Sequence, residues 1–151
     1  QKILLVCEIG QENEAITRLS RVGFDNVIGY LNGGIDSWKN SKEQIEKIES
    51  ITATDLEKIV NNNISLMDVR ACGERKNGLL DKSFGIPLNN LESNYNLLDK
   101  STKHYIHCAG GYRSMIACSF LKKEGYNYVV DIQGGFAAIS KNTNLKISKE
   151  N

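Results

Sequence analysis

His107-Cys108-Ala109-Gly110-Gly111-Tyr112-Arg113-Ser114 joins a run that reads as a strand, Lys103 to His107, to one that reads as a helix, Met115 to Lys123. The first run is aromatic and β-branched. The second spaces Met115, Ile116, Cys118, Phe120 and Leu121 as a helix does. The chain must therefore turn sharply between Cys108 and Ser114, and Ala109, Gly110 and Gly111 let its N–H groups converge into an anion cradle. A helix opening at Arg113 or Ser114 adds its positive end, and the Arg113 guanidinium a full charge. These three influences predict that Cys108 is held as a thiolate, the form in which cysteine is a nucleophile. A cysteine ending a buried strand is ordinarily packing, but packing needs neither two glycines nor an arginine five residues on.

This loop resembles the active-site loop of the rhodanese sulfurtransferases, C-x-x-G-x-R-S. Three further stretches match in order: Leu66-Met67-Asp68-Val69-Arg70, with Glu74 following; Gly85-Ile86-Pro87-Leu88; and Asp131-Ile132-Gln133-Gly134-Gly135-Phe136. The resemblance covers roughly residues 50 to 148. Gly78-Leu79-Leu80 departs from it, standing where the family often has Gly-His-Ile. The resemblance implies Cys108 as catalytic residue, Ala109, Gly110, Gly111, Tyr112, Arg113 and Ser114 as the substrate-binding loop, and Asp68 and Arg70 as a supporting pair beside it.

With 151 residues, 25% charged, 40% hydrophobic and a net charge of +1, the chain has the composition of a globular protein of one domain with some excess. That balance argues against nucleic acid or membrane partners, and no apolar run approaches the ~20 residues that span a bilayer. Cys7, Cys72, Cys108 and Cys118 show no C-x-x-C spacing and read as reduced, cytoplasmic thiols. With His104 and His107 they assemble no metal set. His107 stands where it could tune Cys108. Cys72 reads as incidental and Cys118 as core. The sequence starts at Gln1 rather than Met, so the chain is expected to be part of a longer, multidomain one.

An internal repeat precedes the intact copy. Ile3 to Cys7 reads as a strand, Gln11 to Val22 as a helix, Asn26 to Ile28 as a strand, then Gly33-Gly34; Cys7 and Gly33 lie 26 residues apart, as do Cys108 and Gly134. The first loop, Cys7-Glu8-Ile9-Gly10-Gln11-Glu12-Asn13, has no arginine, and Glu8 and Glu12 oppose an anion, so Cys7 reads as non-catalytic. The expected organisation is the back half of a degenerate repeat at 1–38, a linker with a short helix at 39–49, and an intact domain at 50–148. An orphaned strand as apolar as Ile3-Leu4-Leu5-Val6 should be covered, by the intact domain or by another chain in a homodimer. A degenerate copy followed by an intact one resembles the C-terminal region of bacterial proteins that fuse a metallo-β-lactamase-like persulfide dioxygenase to rhodanese domains.

In the intact copy, Ser50-Ile51 reads as a strand, Thr52 or Thr54 as the cap of a helix through about Val60, Ile64 to Val69 as a buried strand, and Pro87 to Leu98 as a broken helical stretch. The alternation predicts an α/β, rhodanese-like doubly wound parallel sheet with the loop at the carboxyl end of a central strand. Gly134-Gly135 reads as close backbone packing. The expected chemistry moves a sulfane sulfur from thiosulfate or a low-molecular-weight persulfide, through a Cys108 persulfide, to a thiol, sulfite or cyanide, with no cofactor. Two alternatives are weighed. The H-C-x5-R-S phosphatase signature has one residue more than the x4 found here, and so a wider cradle. A non-catalytic docking or regulatory module would not need Cys108, the glycines and Arg113 together.

Overall fold

The computed structural model describes residues 1–149, which form two compact units divided between Lys47 and Ile48. The larger unit is built on a five-stranded parallel sheet. Its strands are β3 (Glu49–Ile51), β4 (Ser65–Asp68), β6 (Phe84–Gly85), β7 (His104–His107) and β8 (Val129–Ile132), in the order β3-β8-β7-β4-β6. The apolar, alternating character of β4 decides how it is covered: Leu66 faces one layer of helices and Met67 the other.

On the Met67 face lie α5 (Leu88–Asn94) and α6 (Tyr112–Lys123). Leu91, Ala117, Cys118 and Leu121 pack there with Ile106, Val129 and Tyr126. On the Leu66 face lie α3 (Ala53–Ile59) and α7 (Gly135–Asn142), and Ala53, Leu56 and Ile139 pack there with Leu80 and Ile132. Leu56, Leu66, Ile132 and Ile139 are no more than 1% exposed, and each such side chain contributes about 1.5–3 kcal/mol. Thr52 caps α3 by accepting from the Asp55 N–H at 3.1 Å. The helical stretch after Pro87 breaks as expected, α5 giving way to a 3-10 turn at Tyr95–Leu97.

Several short elements were not legible in the sequence. A short helix, α4 (Cys72–Lys76), follows β4, and an antiparallel pair joins β5 (Leu79–Leu80) to β9 (Ile147–Ser148). Both are too short to leave a periodic signal.

The smaller unit pairs β1 (Ile3–Leu5) in parallel with β2 (Val27–Tyr30), with α1 (Glu12–Ser20) and α2 (Gly34–Asn40). It repeats the back half of the larger unit: β7 pairs with β8 as β1 does with β2, and Gly134 and Gly33 are both left-handed residues before a helix. The short helix expected between Trp38 and Glu49 is absent. Instead α2 ends at Asn40, where Ser41 hydrogen-bonds back to the Trp38 carbonyl and Lys42 turns to a φ of 65°, and Ile45 and Ile48 are too few to anchor another turn.

The repeat differs in its covering. His107 and Val129 are 0% and 2% exposed, whereas Val6 and Ile28 at the corresponding places are 59% and 54% exposed. No helix among the described residues is long and apolar enough to cross a membrane.

Candidate active site

Cys108 directly follows β7 at the carboxyl edge of the sheet. Its loop closes through Gly111, whose φ of 102° is open to glycine and strained for other residues, and α6 starts at Tyr112, a residue earlier than expected. Two contacts hold the loop from beneath. The Phe136 N–H donates to the Cys108 carbonyl at 2.7 Å and the Ala137 N–H to the Ala109 carbonyl at 3.0 Å. They require α7 to come so near that a Cβ at Gly135 would collide with the Cys108 carbonyl oxygen, so Gly134-Gly135 is the close approach its sequence implied. A Cβ at Gly34 would meet the Cys7 carbonyl in the same way.

The Cys108 side chain is 1% exposed. Its sulfur accepts from the Gly111 N–H at 3.1 Å and faces the Ser114 hydroxyl at 3.6 Å. Burial pushes the thiol up, but the Ser114 hydroxyl and the N–H groups of Ser114, Gly111 and Gly110 outweigh it, and the pKa is lowered. The cradle therefore works by hydrogen bonds. Arg113 is engaged elsewhere, in a two-pronged pair with Glu74: Nη1 to Oε2 at 2.6 Å and Nη2 to Oε1 at 2.7 Å. That pair draws the Glu74 carboxyl down to about 2, against burial and with help from the Ala71 N–H. Arg113 thus ties the start of α6 to α4, and its charge reaches the cradle already balanced. Tyr112 is 81% exposed.

Asp68 and Arg70 do pair, and more than two residues take part. Arg70 Nε lies 3.0 Å from both Asp68 oxygens and its Nη2 2.7 Å from Oδ2, while the Arg70 N–H donates to Oδ1 at 2.9 Å. Arg75, which sequence reasoning missed, reaches the same Oδ2 at 3.2 Å. The Arg70 guanidinium lies 3.8 Å from the centre of the Phe136 ring, and His107 stacks on that ring's side at 6.3 Å. Burial raises the Asp68 carboxyl, but Arg70 and its neighbours pull it below its ordinary value. His107 is pushed down by burial, so it is neutral, and it reaches Cys108 only through a 3.4 Å contact to the carbonyl. The expected tuning of the Cys108 sulfur by His107 is therefore not what the geometry provides, because the ring lies on the α7 face of the sheet.

The remaining cysteines stand apart from this chemistry. Cys72 is exposed and unpaired by disulfide, and burial pushes the Cys118 thiol up to about 12. Around Cys7 a cleft of about 540 Å³ is lined by Glu8, Asp36 and Lys39, with no arginine in the loop. No group of three or more metal-ligating side chains lies together among the described residues.

Comparison with known proteins places this arrangement. The family model for the rhodanese-like domain matches residues 52–142. A sulfurtransferase of Allochromatium vinosum is 28% identical over 76 residues, 50% of this chain and 71% of that one. YtwF of Bacillus subtilis is 30% identical over 99 residues, 65% of this chain and 95% of that one. The crystal structure of a rhodanese-related protein from Thermoplasma volcanium aligns with a TM-score of 0.63 at 29% identity, over 68% of this chain and 99% of that one. With a five-stranded parallel sheet, a cysteine-centred loop at its carboxyl edge and a family match over most of its length, the chain belongs to the rhodanese-like domain family.

Proposed function

We propose that the protein is a sulfurtransferase that carries sulfane sulfur on Cys108. The observation that carries this reading is a sulfur facing a loop N–H and a hydroxyl, with its pKa lowered chiefly by hydrogen bonds. In the first step the Cys108 thiolate attacks the outer sulfur of thiosulfate. The sulfur–sulfur bond of thiosulfate breaks with its electron pair leaving on sulfite, and Cys108 becomes a persulfide anion. In the second step a thiolate or cyanide attacks the terminal sulfur, leaving as a persulfide or thiocyanate and restoring the Cys108 thiolate. A glutathione-type persulfide serves as donor in the same way, a thiol leaving in place of sulfite.

Each intermediate at Cys108 carries one negative charge, so donors that stabilise a thiolate also stabilise the persulfide. Ala109, Gly110, Gly111 and Ser114 supply the backbone of the cradle. Arg113 and Glu74 fix the helix start that aims it, and Asp68 and Arg70 hold the strand ends beneath. Tyr112, largely in solvent beside the loop, is placed to touch an approaching donor. A docking module has no need of hydrogen bonds trained on one sulfur.

The degenerate first unit supports the finer proposal that the chain works beside a persulfide-oxidising domain. The test is steady-state sulfur transfer with thiosulfate varied against cyanide. Parallel double-reciprocal lines, lost entirely in Cys108→Ser, are expected of the two-step mechanism; intersecting lines, or activity surviving in the variant, would exclude the covalent intermediate.

A further inference from the structure

Three arginines belong to the Cys108 loop and the layer beneath it, and each is already committed. Arg70 and Arg75 are buried, with their guanidinium groups on Asp68, the Gly78 carbonyl and Ser83. They share one carboxylate, and the single positive charge left over is sealed beneath the loop, where it matches the one negative charge of a Cys108 thiolate. Arg113 is a third exposed, but Glu74 takes it with both oxygens, at 2.6 and 2.7 Å. The Glu74 carboxyl, held at about 2, is ionised throughout the range in which a thiolate forms. The rim of the site therefore offers a guanidinium whose charge is spent.

A sulfane donor must bring its outer sulfur to a buried sulfur that is itself an anion. Thiosulfate is a dianion, with much of its charge on sulfonate oxygens one bond from the attacked sulfur. It gains from a guanidinium at the rim only where that charge is unbalanced, and Arg113 with Glu74 sums to zero. An organic persulfide carries its outer sulfur on a carbon chain and keeps any carboxylates several bonds away. The rim also suits carbon. From Tyr112 the outer side of α6 continues one turn on with Met115 and Ile116, 39% and 43% exposed. A groove of about 410 Å³ there is lined by Met115, Ile116, Ser119, Phe120 and Lys123.

We propose that Glu74 is a specificity-determining residue: by neutralising Arg113 at the rim it selects donors that carry sulfane sulfur on an organic body, organic persulfides above all, over the inorganic dianion thiosulfate. The inference rests on the reading of Cys108 as the sulfur carrier and names the donor class of that site. In the favoured step the Cys108 thiolate attacks the outer sulfur of the persulfide. The sulfur–sulfur bond of the donor breaks with its electron pair leaving on the organic thiolate, and the outer sulfur, with any proton it bears, stays on Cys108. Thiosulfate is a slower donor by the same step.

The experiment measures the rate of sulfur loading on Cys108 in the whole chain at neutral pH, by rapid quenching and peptide mass spectrometry. The donors are thiosulfate, methanethiosulfonate and glutathione persulfide. Methanethiosulfonate has a methyl group in place of one thiosulfate oxygen, so it carries one negative charge fewer and gives up its outer sulfur with sulfinate leaving. Wild type should load from glutathione persulfide at least about 10-fold faster than from thiosulfate. Glu74→Gln, which leaves the Arg113 charge unbalanced, should lower the preference for methanethiosulfonate over thiosulfate by about 5–10-fold. A shifted loop or a changed thiolate fraction would move the two donors together and leave that ratio alone. Glu74→Gln combined with Arg113→Gln has neither charge, and should return the ratio to within about twofold of wild type. Thiosulfate loading as fast as glutathione persulfide in wild type would overturn the proposal. So would a ratio unmoved by Glu74→Gln, or one that stays shifted in the double variant. Cys108 that takes sulfur from none of the three donors would overturn the carrier reading itself, and the proposal with it.

Discussion

At the scale of single residues, this site spends its charges on architecture and its neutral donors on the sulfur. Asp68 illustrates the first half, because it is fully buried and meets Arg70 and Arg75. Asp68→Ala would leave two buried guanidinium groups without their anion, which should lower unfolding free energy by about 3–5 kcal/mol, measured by urea denaturation. Glu74 gives the pH dependence. Its carboxyl is held at about 2, below its ordinary 4.5, so folding favours the ionised form; the contribution is present above about pH 4.5 and fades as pH falls towards about 2. The pair with Arg113 is one-third exposed, so the effect should stay within about 1 kcal/mol. Denaturant midpoints of Glu74→Gln and wild type should differ at neutral pH and converge through that window. The sequence placed Arg113 at the cradle by its spacing from Cys108. Its partner was four elements of chain away, and no spacing rule links residue 74 to residue 113.

At the scale of elements, the loop, α6 and α7 act as one piece, because two α7 N–H groups hold loop carbonyls. Gly135→Ala tests this: the new Cβ would press on the Cys108 carbonyl from a φ of 55°, costing about 1–3 kcal/mol in strain. Because the displaced group is the loop itself, Cys108 alkylation should slow as well, whereas Gly73→Ala, with open space around its Cβ, should leave both stability and alkylation nearly unchanged. The parallel sheet, the Cys108 turn and the glycine pair were legible because each leaves a local mark: an apolar run, a small-residue turn, a doubled glycine. The α4 helix and the β5–β9 pair leave none, since five and two residues are too short for periodicity to show. The layer beneath the loop, with Arg75 and Phe136, depends on which face of a strand each residue takes, and that emerges only once strand register is fixed.

At the scale of the whole molecule, the two units differ in how much they bury. The larger has two apolar clusters, one on each face of its sheet, while in the smaller Gly34 is the one buried residue. Hydrogen exchange should report this directly: amides of β1 and β2 should exchange at least ~100-fold faster than those of β4 and β7, as expected of the low-stability end of a structure. Equal protection in the two units would mean that the smaller one is covered. The measurement that bears most directly on the central claim is intact mass after incubation with thiosulfate and, separately, glutathione persulfide. Wild type should gain one sulfur atom that a thiol or cyanide removes, and Cys108→Ser should gain none. No adduct from either donor, or the same adduct in the variant, would contradict the assignment of Cys108 as the sulfur carrier.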